Sequence, residues 1–269
     1  MSKYYVKFIS RRKRKATREG CYLMLNVTAR QELMSKIVDT LFVVVEDARF
    51  DFSETGLQVR VVDPSHVAMI QMDIDAAAFD TWEIDETKLG LEMRKLKDLV
   101  TLGAPSDLIE MSHSDDTGVL TLNLGKIDRN IRPLDNSTLS PPTLPSLDLG
   151  CKVTLGGAEF AQALRAARQV GDLVNFSIEP SKFTVHVQGS TDSVTVEFSK
   201  DEVQNLECDK PSRSQYSLTY LVPMSKIFGN LESVELGFGE NYPLSMNFTF
   251  NDGAAEVKYF LAPRVESEY

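Results

Sequence analysis

The sequence predicts an α+β chain built from two tandem domains of like topology. Three observations predict it: a long internal repeat, apolar periodicity that switches between helix and strand in the same order twice, and a proline-rich stretch between the copies. The repeat spacing is about 125 residues, far beyond the 20–50 residues of a solenoid unit, so it marks duplicated domains.

The first copy opens on Asn26-Val27-Thr28 and runs into a helical pattern from Arg30 to Leu41, where Leu33, Ile37 and Leu41 recur at four-residue spacing. Arg49-Phe50-Asp51-Phe52, a turn at Glu54-Thr55-Gly56 and Leu57 to Val61 then alternate as a hairpin with one buried face. His66 to Ile74 reads as a further strand. Glu92 to Thr101 reads as the second helix, and Leu108–Met111 and Val119–Leu124 as closing strands. The second copy has Lys152-Val153-Thr154, then a helix from Ala158 to Val170 with Phe160, Leu164 and Ala167 on one face. Val174 to Ile178, a turn at Glu179-Pro180-Ser181 and Phe183 to Val187 form its hairpin, and Ser193 to Phe198 its next strand. A helix over roughly Tyr220 to Asn230 precedes Val234–Phe238, Leu244–Phe250 and Ala255–Leu261. Pro223 predicts that this last helix begins late or bends. Each copy should hold two helices and about eight or nine strands.

The domains are expected at 24–131 and 148–269, joined by a connector over 132–147. Pro133, Pro141, Pro142 and Pro145 make that connector an extended crossing, and Leu134, Leu139, Leu144 and Leu147 predict that it lies on a surface.

Net charge is −10, which by itself opposes a nucleic-acid partner. Its distribution changes the reading. Residues 1–23 carry eight Lys or Arg against Glu19, a net of +7, which leaves −17 on the remaining 246 residues. The break falls at Met24. Residues 1–23 are therefore expected to be a disordered extension or a start-site artefact, with Met24 as the natural first residue; a phosphate-gripping arm and a transit peptide are the alternatives. Within the body, the four helical windows hold eight basic and five acidic residues, a net of +3, so strands and loops carry −20. The pattern predicts a helical surface that tolerates phosphates and an acidic surface that repels them, although for any single lysine a solvated helix face is the better explanation. Modest basic density predicts weak, salt-sensitive contact with duplex DNA.

Cys21, Cys151 and Cys208 lie far apart with no C-x-x-C spacing, which predicts reduced thiols, without disulfides or structural zinc, in an intracellular protein. No apolar stretch reaches the ~18–20 residues of a membrane span. His66, His113 and His186 are not spaced as a metal pair, and phosphate-loop, dinucleotide and nucleophile-elbow motifs are lacking. Asp73 and Asp75 could hold Mg²⁺, but on an alternating strand both read as a solvated face. The expectation is a protein that is not an enzyme and takes no cofactor or metal.

Several segments resemble the archaeal and eukaryotic sliding clamp family, the proliferating cell nuclear antigen family, from Met24 to Tyr269. They are Val62-Asp63-Pro64-Ser65-His66-Val67, Phe79-Asp80, Gly157-Ala158-Glu159-Phe160, Val170-Gly171-Asp172 and, most specific, Tyr259-Phe260-Leu261-Ala262-Pro263-Arg264-Val265-Glu266. The resemblance implies the DNA-clamp fold: outer antiparallel sheets, inner helices and a ring of three subunits head to tail. It implies a processivity factor that encircles duplex DNA with the chromosome (in cytoplasm and nucleoid, or in a nucleus). A clamp loader would place it, and DNA polymerase, flap endonuclease and DNA ligase would dock through short motifs with aliphatic and aromatic anchors. A subunit of a heterotrimeric or checkpoint-type clamp is the alternative.

By the same resemblance, Lys36, Arg94, Lys95, Lys97, Arg165, Arg168 and Lys226 would face the DNA. Val62, His66, Val67, Leu144, Pro243, Phe260, Ala262 and Pro263 would line a partner-peptide pocket beneath the connector, with Arg264-Val265-Glu266 adding backbone bonds; alone, His66 would read as a buried, hydrogen-bonded core histidine. Thr117–Leu124, through Thr117, Val119 and Thr121, would pair with Thr191–Phe198, through Val194, Val196 and Phe198, of a neighbour.

Overall fold

The computed structural model describes residues 24–264; the basic tail with Cys21, and Val265 and Glu266, lie outside the described residues. The first half runs β1 (Leu25–Arg30), α1 (Gln31–Phe42), β2 (Asp47–Ser53), β3 (Gly56–Val62), β4 (Ala68–Asp75), β5 (Thr81–Ile84), β6 (Thr87–Glu92), α2 (Met93–Val100), β7 (Leu108–Ser114), β8 (Val119–Leu124) and β9 (Ile127–Ile131). The second half repeats that order. It runs β10 (Cys151–Leu155), α3 (Gly157–Arg168), β11 (Leu173–Glu179), β12 (Lys182–Gln188), β13 (Ser193–Ser199), β14 (Asn205–Cys208), β15 (Ser212–Ser217), α4 (Leu218–Phe228), β16 (Val234–Phe238), β17 (Leu244–Phe250) and β18 (Ala255–Leu261).

The strands form three antiparallel sheets. One has the order β5-β1-β7-β8-β9, one β13-β12-β11-β15, and the largest β14-β10-β16-β17-β18-β4-β3-β2-β6. The largest sheet joins the halves, because β18 pairs with β4 from Ala255↔Ile74 to Leu261↔Ala68. The duplication is therefore incomplete in its pairing. The counterparts of β18 and β4 in the other halves, β9 and β13, each have a partner on one side and a free edge on the other.

That pattern corrects the expected subunit edge in the first domain. β8 is bonded to β7 on one side and to β9 on the other, so Val119 and Thr121 lie on an interior strand and Thr117 in the turn before it. A strand with both ladders filled cannot accept a third. Beyond β8 the edge strand is β9, Ile127–Ile131. The second expected edge, with Val194, Val196 and Phe198, is β13 and is free.

Alternating burial builds the core. Leu33, Met34, Ile37, Val38 and Leu41 of α1 are buried, as are Phe160, Leu164 and Ala167 of α3. The second half's share of the core is aromatic: Phe160 lies 5.5 Å from Phe228 and 5.8 Å from Phe176, and Phe176 lies 5.4 Å from Phe183. Gly157 lets α3 start against the end of α4, since a Cβ there would stand 2.1 Å from the Phe228 carbonyl oxygen.

Helix starts differ from expectation by one or two residues. Arg30 and Glu92 end strands and precede their helices. The fourth helix starts early, at Leu218, with Pro223 inside it. Pro223 cannot donate to the Thr219 carbonyl, yet Leu218, Leu221, Met224 and Phe228 bury enough apolar surface to hold the helix across that missing bond.

The connector leaves β9, and Leu134 donates its N–H to Gly90 of the edge strand β6 at 2.8 Å. It rejoins the sheet at β10, seven strand positions across from β6. That span is roughly 34 Å at ~4.8 Å per strand, within reach of extended chain at ~3.3 Å per residue.

Candidate functional site

Two surfaces carry the expected residues. On the first, α1 packs on α2, α3 on α4, and α1 also touches α4, so the helices form one continuous layer. Five of its seven expected DNA-facing cations are already engaged. Lys36 Nζ donates to Glu32 at 2.8 Å, Lys95 to Glu92, Lys97 across to Asp39 of α1, and Arg168 pairs with Asp172. Arg94 sits 5.9 Å over the Phe42 ring. Arg165 and Lys226 are exposed and make no ion pair among the described residues. Lys36 also holds the Glu32 carboxyl below its ordinary range, by a hydrogen bond first and by charge second. The layer is thus basic in side-chain content but largely neutralised pair by pair. Such a surface can follow phosphates without holding any one firmly.

The second surface lies at the centre of the nine-stranded sheet. Val62 pairs with Met69, Met69 with Phe260, and Phe260 with Ser245, a row across β3, β4, β18 and β17. Their sequence neighbours Val61, Ala68, Ile70, Tyr259 and Leu261 face the core, so strand alternation turns Val62, Met69 and Phe260 outward. Val67 joins the row where its carbonyl accepts from Ala262 N–H at 2.8 Å. Pro243 precedes β17, and Pro263 follows Ala262. All of these apolar side chains are half-buried, forming a shallow apolar strip. No hydrogen bond among the described residues ties Leu144 to the strip, although Leu144 lies midway along the crossing connector. Arg264 N–H is already used, donating to Gln215 at 2.7 Å.

His66 is exposed with φ +55, and its ring makes no hydrogen bond among the described residues, so the buried core histidine is corrected. What holds His66 and Val67 in place is Asp63, quoted in the motif but given no role by sequence reasoning. Its side chain, 5% exposed, accepts from Ser65 N–H (3.0 Å), Val67 N–H (2.7 Å) and Ala68 N–H (2.6 Å). The Tyr220 hydroxyl of α4 adds a fourth bond at 3.2 Å. Burial works to raise the Asp63 carboxyl, but the Ala68, Val67, Ser65 and Tyr220 donors outweigh it and hold it below the usual carboxylate range. Asp63 thereby links the strip to the helical layer. The motif spacing could have suggested an Asx-type turn; the Tyr220 partner had no signal in the sequence.

The strand acids do not assemble a metal centre. Asp73 accepts from Gln58 at 2.6 Å and from Gln71 at 2.5 Å, and Asp75 caps Ala77 N–H at 2.7 Å. Among the described residues no group of three His, Cys, Asp or Glu converges on a metal position. No described helix is long and apolar enough to cross a membrane.

A duplicated fold with a helical layer, a continuous central sheet and open edges at β9 and β13 defines the class of ring-forming clamps. Residues 24–136 match the family described as proliferating cell nuclear antigen, N-terminal domain, and residues 143–264 match proliferating cell nuclear antigen, C-terminal domain. The chain belongs to the proliferating cell nuclear antigen family. It is 32% identical over 248 residues to the DNA polymerase sliding clamp of Methanococcoides burtonii, covering 91% of this chain and 100% of that protein. The Archaeoglobus fulgidus DNA polymerase sliding clamp is 31% identical with the same coverage. Among solved structures, A. fulgidus PCNA with the C-terminal region of FEN-1 bound superposes with a TM-score of 0.85 at 31% identity, over 91% of this chain and 100% of that one. The Entamoeba histolytica protein of the same fold gives a TM-score of 0.82 at 19% identity, over 90% and 100%.

Proposed function

We propose that this chain is a sliding clamp: a homotrimer that encircles duplex DNA, tethers DNA polymerase and docks other replication and repair enzymes. It is a scaffold, not an enzyme. The observation that carries this is the pair of free edges. Inside the chain, β18 and β4 weld one half to the other; β9 and β13, their counterparts, have no strand on their outer side among the described residues. Carrying the β18–β4 register through the repeat sets Ile127 opposite Val196, Lys126 opposite Glu197 and Arg129 opposite Val194 of a neighbour. This apposition covers Ile127, now 41% exposed, and the half-exposed Val194 and Val196. It also closes a cavity of about 430 Å³ lined by Ala163 and Ala166 of α3 and Val196 and Phe198 of β13. Because the two edges differ, the contact is head to tail, and such contacts form a ring when the rotation between subunits closes.

The domain boundaries that fit this reading are 24–131 and 148–269, with 132–147 as connector. The ring places the helical layer inward, with Arg165 and Lys226 as its freest cations. The apolar strip around Val62, Val67, Phe260 and Ala262 receives the anchors of an extended partner segment, with the connector and Leu144 along its side. A flap endonuclease tail fits that strip by analogy with the A. fulgidus complex. DNA ligase and the clamp loader use the same surface. A clamp on chromosomal DNA works inside the cell, with the chromosome.

Light scattering on the purified chain tests the ring. The expected mass is three times 30.1 kDa at micromolar concentration. A strict monomer, or assembly only after a related second chain is added, refutes the homotrimer.

A further inference from the structure

Two thiols outside both surfaces face each other. Cys151 opens β10, Cys208 ends β14, and they are direct cross-strand partners with Sγ atoms 3.6 Å apart. The adjoining Asp209 N–H donates to the Gly150 carbonyl at 3.2 Å, so that pair is hydrogen-bonded. The ladder alternates, which makes Cys151–Cys208 a non-hydrogen-bonded pair, the type whose Cα atoms are ~4.5 Å apart and whose side chains approach closest. A disulfide accepts Cα separations of roughly 4.4–6.8 Å. Side-chain rotation, without strand movement, therefore suffices to bring the sulfurs into bonding distance. Both thiols also donate to one acceptor, the Lys210 carbonyl, at 3.4 and 3.1 Å, which gathers them on one side of the ladder. Cys151 is buried, but Cys208 is half-exposed on the last strand of the nine-stranded sheet. One sulfur is accessible from solvent and the other waits behind it.

We propose that Cys151 and Cys208 form a dithiol modification site that a small-molecule disulfide oxidises to an intramolecular disulfide, stapling the edge strand β14 to β10. With oxidised glutathione, the Cys208 thiolate attacks the glutathione S–S bond, forms a mixed disulfide and releases one glutathione thiolate. Deprotonated Cys151 then attacks the Cys208 sulfur and releases the second. The protein loses two electrons and two thiol protons, and the oxidant becomes two glutathione thiols. Burial first, then the Cys151 thiol and the carboxylates of Asp209 and Glu179, push the Cys208 thiol up to about 11. Reaction is therefore slow at neutral pH and accelerates as pH rises.

The experiment incubates the full-length chain with excess oxidised glutathione at alkaline pH, alkylates the remaining thiols and digests. The expected result is a peptide pair joined through Cys151 and Cys208, reversed by dithiothreitol. It should come with a rise in the thermal midpoint of roughly 5–10 °C, because the bond closes a long loop. A stable glutathione adduct on Cys208 alone, or both thiols left free while Cys21 reacts, overturns the proposal. Cys208→Ser, made with Cys21→Ser and checked for unchanged oligomeric mass, should lose both the linked peptide and the midpoint shift; a shift that persists overturns it equally. Phenylarsine oxide, which bridges two thiols, should shield both cysteines from alkylation in the reduced protein, and failure to shield them refutes their pairing in solution.

Discussion

Asp63→Ala should both destabilise the chain and weaken partner docking. The Asp63 carboxylate, 5% exposed, accepts three backbone N–H groups and the Tyr220 hydroxyl. Each hydrogen bond to a charged group is worth about 1.5–3 kcal/mol, and members of one network do not add. The Ser65 N–H can turn to water, whereas Ala68 is buried and its N–H would be stranded. A loss of about 3–5 kcal/mol follows for Asp63→Ala. Asp63→Asn should lose about 1–2 kcal/mol, because one oxygen still serves Val67 and Ala68 while the amide meets the Ser65 N–H donor to donor. Denaturant unfolding followed through Trp82, the single tryptophan, measures the first quantity. Titration with a peptide carrying an aliphatic and two aromatic anchors measures the second, with about tenfold weaker binding expected for Asp63→Asn in an intact trimer. The pH dependence has a definite sign. Folding depresses the Asp63 carboxyl, so the unfolded chain binds more protons than the folded one between the depressed value and the ordinary value of about 3.9. The Asp63 contribution is therefore complete above roughly pH 5 and is lost as pH falls through the folded value, and Asp63→Asn should flatten that acid limb. If Asp63→Ala unfolds within about 0.5 kcal/mol of the parent and binds peptide unchanged, the assigned role of this carboxylate is wrong.

Four further outcomes follow from the same geometry. Ile127→Glu or Val196→Glu should convert the trimer to a monomer by light scattering, since each puts a charge into the apposed edges, while Thr121→Glu on the interior strand β8 should spare the assembly if its side chain stays in solvent. Arg165→Glu with Lys226→Glu should reduce processive synthesis and lower the salt slope of DNA binding by roughly two, more than Lys95→Ala with Lys97→Ala, because Lys95 and Lys97 are already paired. Asp39→Asn should strengthen DNA association measurably at low salt by freeing Lys97. Gly157→Ala should cost about 1–3 kcal/mol by thermal unfolding, because its methyl meets the Phe228 carbonyl.

The sequence by itself determined the duplication, the four helices to within two residues at their starts, the hairpins around Thr55 and Pro180, and the crossing connector. These rest on local periodicity and turn chemistry, which neighbours along the chain decide. The short polar strands escaped it: Ser212–Ser217 and Ile127–Ile131 lack regular alternation, because their partners supply the order. Charge sorting was legible as composition, but the pairing of Lys97 with Asp39 joins two helices and was not. Only the tertiary structure decided which edges stay open. β8 alternates clearly as Val119–Leu124 and was expected at the subunit boundary, yet β9 follows two residues later and fills its ladder. An open edge is a property of who pairs with whom across the whole sheet. The same reason hides Asp63 with Tyr220, 157 residues apart, and Cys151 with Cys208, 57 apart: each contact exists only after the chain has brought distant strands and helices together.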